Sequence, residues 1–187
     1  RAIQVESTLR IARLRVGPRF RTVEKAHGQT TTDTGRAVQK QLRYCHAPKA
    51  HVDDNGLGAG VVDSLEDWNE NVVPINTSIK PQDEEHYLNA RAEWYWQLRS
   101  AFEFDEIVIH DDDDFVGQLA NIKYKIVPGT NKIQIESKED MKKRGLPSPD
   151  MADCLMLAWA DPTRGRKANI DAAPVGIPKT AYFRGAG

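Results

Sequence analysis

The chain has 187 residues, of which 40% are hydrophobic and 28% are charged, which suits one soluble domain with a sizeable core. No apolar run approaches the roughly 20 residues of a membrane-spanning helix, and two distant cysteines, Cys45 and Cys154, exclude a disulfide framework. The formal net charge of −1 gives no indication of nucleic-acid binding.

The beginning of the chain predicts three strands and then a helix. Strands are predicted at residues 2–6, 9–16 and 20–26, and apolar and polar residues alternate in the first two. The helix lies in TTTDTGRAVQKQLRYCHA, with Thr32 or Asp33 as its N-cap and Pro48 beyond its end. One face of this helix carries the residues expected in the core, Val38, Leu42 and Cys45.

Short strands then alternate with helices. A strand, AHVDD, precedes a glycine turn and an amphipathic helix from about Ala59 to Trp68. VVPIN, residues 72–76, predicts a buried strand, and residues 83–102 predict a long helix. IVIH, residues 107–110, predicts another short strand.

The last part of the chain predicts a helix at DDFVGQLANI, a hairpin about Pro128 to Asn131, and an apolar helix at residues 150–160. From 161 to 187, Pro, Gly and charged residues predict a poorly ordered tail, so we expect one domain over residues 1–160. Strands first, then strands alternating with helices, predict an α/β fold with a mixed sheet and helices on both faces.

The first segment with chemical potential is VDDNGLGAGVVD, residues 52–63. Asp53 ends a strand, which is where ligands bind in open α/β sheets. A dinucleotide site would place its glycines directly after the strand, whereas here the carboxylates come before the glycines. A phosphate loop would need Gly-Lys-Ser/Thr, which this sequence does not contain. A plain strand-to-helix turn and a metal-binding carboxylate on a glycine-hinged turn both remain open.

The second segment is ESKEDMKKRGLPSPDMADCLMLAW, residues 136–159. Asp150 and Asp153 are three residues apart, on one face of an otherwise apolar helix. Burying such acids is costly unless they bind a cation or a partner. Asp150 as a helix cap, and the upstream Lys-Lys-Arg run as solvated charges, are the simpler alternatives.

Two other groups are weaker candidates. HDDDD, residues 110–114, has carboxylates that could bind metal but is more typical of a solvated helix start. ARAEWYWQLR, residues 90–99, has aromatic residues at helical spacing, which indicates core more than base stacking. His46 and His51 lack the paired spacing of a zinc site.

Three segments together resemble a known family. They are VDDNGLGAGVVDSL, NARAEWYWQLR and IQIESKEDMKKRGLPSPDMADCLMLAWA. Their order and spacing are similar to the C-terminal nuclease domain of tailed-bacteriophage large terminases, over residues 1–160. A lysine-rich approach to SPD-x-AD, followed by an apolar helix, is the most specific match. The resemblance implies an RNase H-like fold, a mixed central sheet flanked by helices on both faces.

In that family three acids meet at the edge of the sheet. Asp53 matches the second acid and Asp150 the third, both catalytic, and Asp153 sits one turn further as an auxiliary metal ligand or a supporting acid. The first acid is expected upstream of Arg1, because RAIQVESTLRI resembles the strand that follows the family's opening strand. Glu6, the only early acid, is a poor substitute.

The resemblance implies an Mg²⁺- or Mn²⁺-dependent endonuclease that cuts concatemeric double-stranded viral DNA during genome packaging, by two-metal-ion phosphodiester hydrolysis. Four basic residues are expected to hold the DNA backbone: Lys138, Lys142, Lys143 and Arg144. The implied partners are an upstream ATPase domain of the same protein, the portal and the small terminase subunit, in the cytoplasm of the infected bacterial host. A junction resolvase or another RNase H-like nuclease, or a catalytically silent DNA- or portal-docking module, are the alternatives.

Overall fold

The computed structural model describes residues 2–6, 10–16, 19–26 and 28–160, and before residue 28 it describes only the side chains of Arg19 and Phe20. The predicted tail at 161–187 and the side chain of Glu6 therefore lie outside the described residues. Strands in the described part are β1 (Ala2–Glu6), β2 (Arg10–Val16), β3 (Arg19–Ala26), β4 (Ala50–Asp53), β5 (Val72–Ile75), β6 (Val108–Ile109), β7 (Tyr124–Ile126) and β8 (Ile133–Ile135). Helices there are α1 (Thr31–Tyr44), α2 (Gly58–Asp67), α3 (Ala90–Glu103), α4 (Asp113–Asn121), α5 (Lys138–Lys143) and α6 (Asp150–Trp159).

The described strands form one mixed sheet and one small hairpin. The sheet has the order β5-β4-β1-β2-β3-β6. Strand β2 is antiparallel to both β1 and β3, while the β1–β4, β4–β5 and β3–β6 pairs are parallel. Strands β7 and β8 form the separate antiparallel pair. The prediction of a mixed α/β sheet is confirmed.

Strand β5 differs from its prediction. We expected a buried strand, but β5 is the last strand at one end of the sheet and only Ile75 is buried in it, while Pro74 is exposed. Proline has no backbone N–H to donate, so it is tolerated where a strand has a neighbour on one side only. An apolar run of four or five residues does not distinguish a central strand from an edge strand.

Two compact units make up the described chain. The first comprises the described residues within 1–77, 107–110 and 150–161, and the second those within 78–106 and 111–149. In the first unit, Ala50 and Val52 of β4 share one buried cluster with apolar residues of α1 and α2. The intervening residue, His51, is also buried, and its Nδ1 lies 3.5 Å from the carbonyl oxygen of Leu157 in α6.

Helices α1 and α2 pack closely because small residues face the partner helix. A Cβ added at Gly35 would lie 3.2 Å from the Trp68 ring, and one added at Gly60 would lie 3.3 Å from the Thr31 side chain. The predicted core residues of α1, Val38, Leu42 and Cys45, are buried. The cap is Thr30, whose hydroxyl accepts the Asp33 N–H, so the predicted cap at Thr32 or Asp33 was wrong by two or three residues.

In the second unit, the helix predicted at residues 83–102 begins seven residues later than expected. Helix α3 begins at Ala90 rather than at residue 83, because the Asn89 side chain caps it by accepting the Ala92 N–H. The carboxylate of buried Glu93 accepts the N–H groups of Gln82 and Asp83 at 2.8 and 3.3 Å. The preceding segment is thereby held outside the helix, although its apolar spacing continues that of α3.

Candidate metal centre

Asp53 is the last residue of β4, so its carboxylate lies where the parallel strands β4 and β5 end. It is half-buried. Its Oδ1 accepts two hydrogen bonds from Asn55, one from the backbone N–H at 3.2 Å and one from Nδ2 at 2.6 Å. The same Nδ2 lies 3.1 Å from the hydroxyl of Thr77, which follows β5. Asn55 and Thr77 were not identified from the sequence, since neither an Asn in a turn nor a Thr beyond a strand is distinctive.

The glycine turn after Asp53 requires a backbone conformation that glycine adopts more readily than other residues. Gly56 has a φ of +63°, a left-handed conformation that residues with a Cβ rarely adopt. Gly60 lies in the first turn of α2, where it allows the close approach of Thr31. Two of the three glycines thus serve the turn and the packing of α2, and this geometry needs no phosphate ligand to explain it.

Asp150 and Asp153 open α6, in which every residue is buried. Asp150 is 8% exposed and Asp153 is 4% exposed. Buried carboxylates surrounded by apolar side chains are stable only with compensating partners, and both residues take part in further interactions. The N-terminus of a helix favours negative charge, so the backbone of α6 supplies part of that compensation.

Asp53, Asp150 and Asp153 all belong to the first unit. Strand β4 and helix α6 contact each other there, and His51 and Leu157 form one of these contacts. Among the described residues, however, no group of three or more His, Cys, Asp or Glu side chains is placed to hold a metal ion. The oxygen-only donors that these acids offer suit hard divalent cations such as Mg²⁺ and Mn²⁺ better than zinc.

The four basic residues predicted to contact DNA lie in the second unit, on α5 and just beyond it. Lys143 donates to Asp140 at 2.8 Å, and this hydrogen bond is the main cause that raises the pKa of Lys143 and lowers the pKa of Asp140. Arg144 pairs with the Glu136 carboxylate and lies 3.3 Å from the carbonyl oxygen of Asn121. Lys138 is the first residue of α5, and its side chain or backbone also interacts with another group of the protein. Lys142 is exposed.

The weaker sequence candidates have structural roles. Asp112 caps α4, its side chain accepting the Phe115 N–H at 3.1 Å, and the next two carboxylates are exposed in the first turn. The Asp run is therefore a solvated helix start. On α3, Trp94, Tyr95 and Trp96 are buried, which agrees with their interpretation as core.

The fold is that of phage large-terminase nuclease domains. The nuclease domain of the large terminase subunit gp2 of bacterial virus Sf6 matches with a TM-score of 0.69 at 19% identity, covering 86% of this chain and 87% of that chain. A mutant of that domain with manganese matches with a TM-score of 0.67 at 18% identity, covering 86% and 87%. The large terminase nuclease from thermophilic phage G20c with bound magnesium has a TM-score of 0.61 at 16% identity, covering 83% and 75%.

The sequence itself matches no protein-family model and no curated protein. Within the described residues, no helix is long and apolar enough to cross a membrane.

Proposed function

We propose that this chain is the nuclease domain of a phage large terminase, a metal-dependent endonuclease that cuts concatemeric double-stranded viral DNA during genome packaging. The observation that carries the proposal is the fold, which is shared with the Sf6 domain over 86% of this chain and 87% of that one. Three sequence segments resembling the same family, in the same order, support it independently.

The proposed centre holds Mg²⁺ or Mn²⁺ through Asp53 and Asp150, with Asp153 assisting. Bound in a pair, such ions lower the pKa of water and offset the charge of a phosphodiester. Asp53 contributes a carboxylate that Asn55 already orients. Helix α6 contributes two carboxylates on an element whose apolar side chains exclude water.

An RNase H-like sheet with helices on both faces is part of the proposal. Successive side chains of a strand point to opposite faces of the sheet. Ala50 and Val52 cluster with residues of α1 and α2, whereas His51 approaches Leu157 of α6. This alternation supports α1 and α2 on one face of β4 and α6 on the other.

The backbone of DNA is held by four basic residues of the second unit, Lys138, Lys142, Lys143 and Arg144. Contacts to phosphates carry no base sequence information, which suits an enzyme that cuts genome concatemers. The partners in this proposal are an ATPase domain of the same protein, the portal and the small terminase subunit, and the place of action is the cytoplasm of the infected host.

The test is cleavage of supercoiled plasmid by the full-length protein with Mg²⁺ or Mn²⁺. We expect nicked and linear DNA with either ion and none after chelation by EDTA. Normal cutting by Asp53→Ala or Asp150→Ala would reject the assigned centre. Preference for branched over linear DNA would indicate a junction resolvase, and DNA binding with neither cutting nor Mn²⁺ binding would indicate the silent docking module.

A further inference from the structure

The side chain of Asn55 joins the carboxyl ends of two neighbouring parallel strands. Its Nδ2 lies 2.6 Å from Oδ1 of Asp53, at the end of β4, and 3.1 Å from Oγ1 of Thr77, just beyond β5. A carboxylate oxygen can only accept, so the amide nitrogen of Asn55, and not its oxygen, must face Asp53. Each of the two amide hydrogens then has one acceptor.

This arrangement is more than the usual turn at the start of a helix. The backbone N–H of Asn55 donates to the Asp53 side chain at 3.2 Å, and that bond alone would make an Asx-turn. The Nδ2 bond adds a second donor to the same oxygen of Asp53. Two donors on Oδ1 restrict rotation of the carboxyl group, so they set the direction in which Oδ2 points.

Thr77 has a separate effect on the same group. An Asn side chain in a turn can take several rotamers, and each populated rotamer other than this one would release Asp53. The hydroxyl of Thr77, at 3.1 Å, is the second anchor that selects this rotamer. Thr77 and Asn55 are both half-buried, so their hydrogen bonds compete only in part with water.

We infer that Asn55 and Thr77 are positioning residues that orient the Asp53 carboxylate for a divalent cation. The inference rests on the proposed function, because it concerns the same centre. Carboxylates that bind metals are held by hydrogen-bond partners, and loss of such a partner costs about 10–100-fold in metal affinity or activity. A ligand must be held within about 0.5 Å of its productive position.

The test uses calorimetric titration with Mn²⁺ and thermal unfolding of the wild type and four variants. Asn55→Ala should weaken Mn²⁺ binding about tenfold or more, and Thr77→Val should weaken it less. Thr77→Ser, which restores the hydroxyl, should recover the affinity that Thr77→Val loses. Ser64→Ala removes a 2.8 Å bond from a hydroxyl to the Gly60 carbonyl in α2, and as a purely structural control it should leave Mn²⁺ binding unchanged.

Stability separates positioning from folding. Ser64→Ala loses one hydrogen bond and should lower the melting temperature by a few degrees at most, whereas Asn55→Ala loses both bonds of Nδ2 and should lower it by about twice as much. Wild-type Mn²⁺ affinity in both Asn55→Ala and Thr77→Val overturns the inference. An equal loss of affinity in Thr77→Ser and Thr77→Val also overturns the role of the hydroxyl.

Failure of the metal site itself gives a different result. If the wild type binds no Mn²⁺, the proposed function fails, and crystal structures of the wild type and Asn55→Ala then decide the inference. Several orientations of the Asp53 side chain in Asn55→Ala, against one in the wild type, support the positioning role. One unchanged orientation in the variant overturns it.

Discussion

The Nδ1 of His51 lies 3.5 Å from the carbonyl oxygen of Leu157. This contact links the strand that ends in Asp53 to the helix that begins with Asp150. His51 and Asp53 are two residues apart on β4, so their side chains leave the same face of the strand. Both residues of this contact are buried. Two acids separated by almost one hundred residues of sequence therefore belong to elements that are packed against each other.

Removing either acid should abolish cleavage without unfolding the protein. We expect Asp53→Asn and Asp150→Asn to lower the rate of plasmid cleavage by more than about a hundredfold, because losing even an outer partner of a metal ligand costs about 10–100-fold. Asp63→Asn, on the exposed face of α2, removes one carboxylate from the same unit as a control. Equal rates for Asp63→Asn and Asp150→Asn would contradict the assignment.

The basic residues near α5 should differ in how much they contribute to DNA binding and to stability. Lys142 is exposed, so Lys142→Ala should weaken DNA binding and reduce the slope of log K against log salt concentration by about 0.9, with no change in stability. Arg144 bonds Glu136 and the Asn121 carbonyl oxygen, so Arg144→Ala should cost about 1–2 kcal/mol of unfolding free energy. Urea unfolding and binding measured over a range of salt concentrations test both. A stable Arg144→Ala protein with the larger loss of DNA affinity would reverse this difference.

Asp140 should restrain the binding of Lys143 to DNA. The hydrogen bond from Lys143 lowers the pKa of Asp140, so this carboxylate keeps its charge at a lower pH than an ordinary aspartate. Above its lowered pKa, Asp140 is charged, stabilises the folded protein and competes with DNA for Lys143. Both effects are lost as the pH falls through the folded pKa. Asp140→Asn should therefore raise DNA affinity throughout the neutral range, and less in acid. Fluorescence anisotropy at several pH values measures this, and unchanged affinity at pH 7 would contradict it.

Glycine substitutions in two helices should have opposite effects on stability. Gly35→Val should cost about 1–3 kcal/mol, because even a Cβ at Gly35 would lie 3.2 Å from the Trp68 ring. Gly117 in α4 has no atom within 4 Å of an added Cβ. Gly117→Ala should therefore stabilise the protein by about 0.5–1 kcal/mol through helix propensity. Chemical denaturation gives both values, and destabilisation by Gly117→Ala would show that α4 is packed differently.

Glu93 should restrain the backbone of the segment before α3, around Gln82 and Asp83. Its buried carboxylate accepts the N–H groups of Gln82 and Asp83, so Glu93→Ala should leave both donors without this partner and cost about 1–3 kcal/mol. A glutamyl endopeptidase should then cut after exposed Glu85 faster than in the wild type. Glu93→Gln, which keeps one acceptor oxygen, should be cut at an intermediate rate. Equal rates of cutting in all three proteins would exclude the restraint.

Local patterns in the sequence determined most of the helices and strands. The glycine turn after Asp53 and the apolar helix after Pro149 were predictable, because turn chemistry and helix periodicity act over a few neighbouring residues. The two candidate acids could be chosen for the same reason, since each stands at the junction of a polar turn and an apolar element. The Asn89 cap at the start of α3 is a local signal that the helical spacing of the preceding residues obscured. The bond from Asp83 to the Glu93 carboxylate, which spans ten residues, was not predictable.

Only the tertiary structure decided how distant parts of the chain meet. The edge position of β5 depends on strand order, which short apolar runs do not encode. The engagement of Arg144 with Glu136, and of Asn55 with Thr77, likewise depends on which elements fold side by side. Hydrogen bonds and charge pairs depend on atomic separations of a few ångströms, and residues far apart in sequence reach such separations only when the chain packs. The sequence alone determined which residues carry groups that could do chemistry, and packing decided which of those groups are held in place by neighbours.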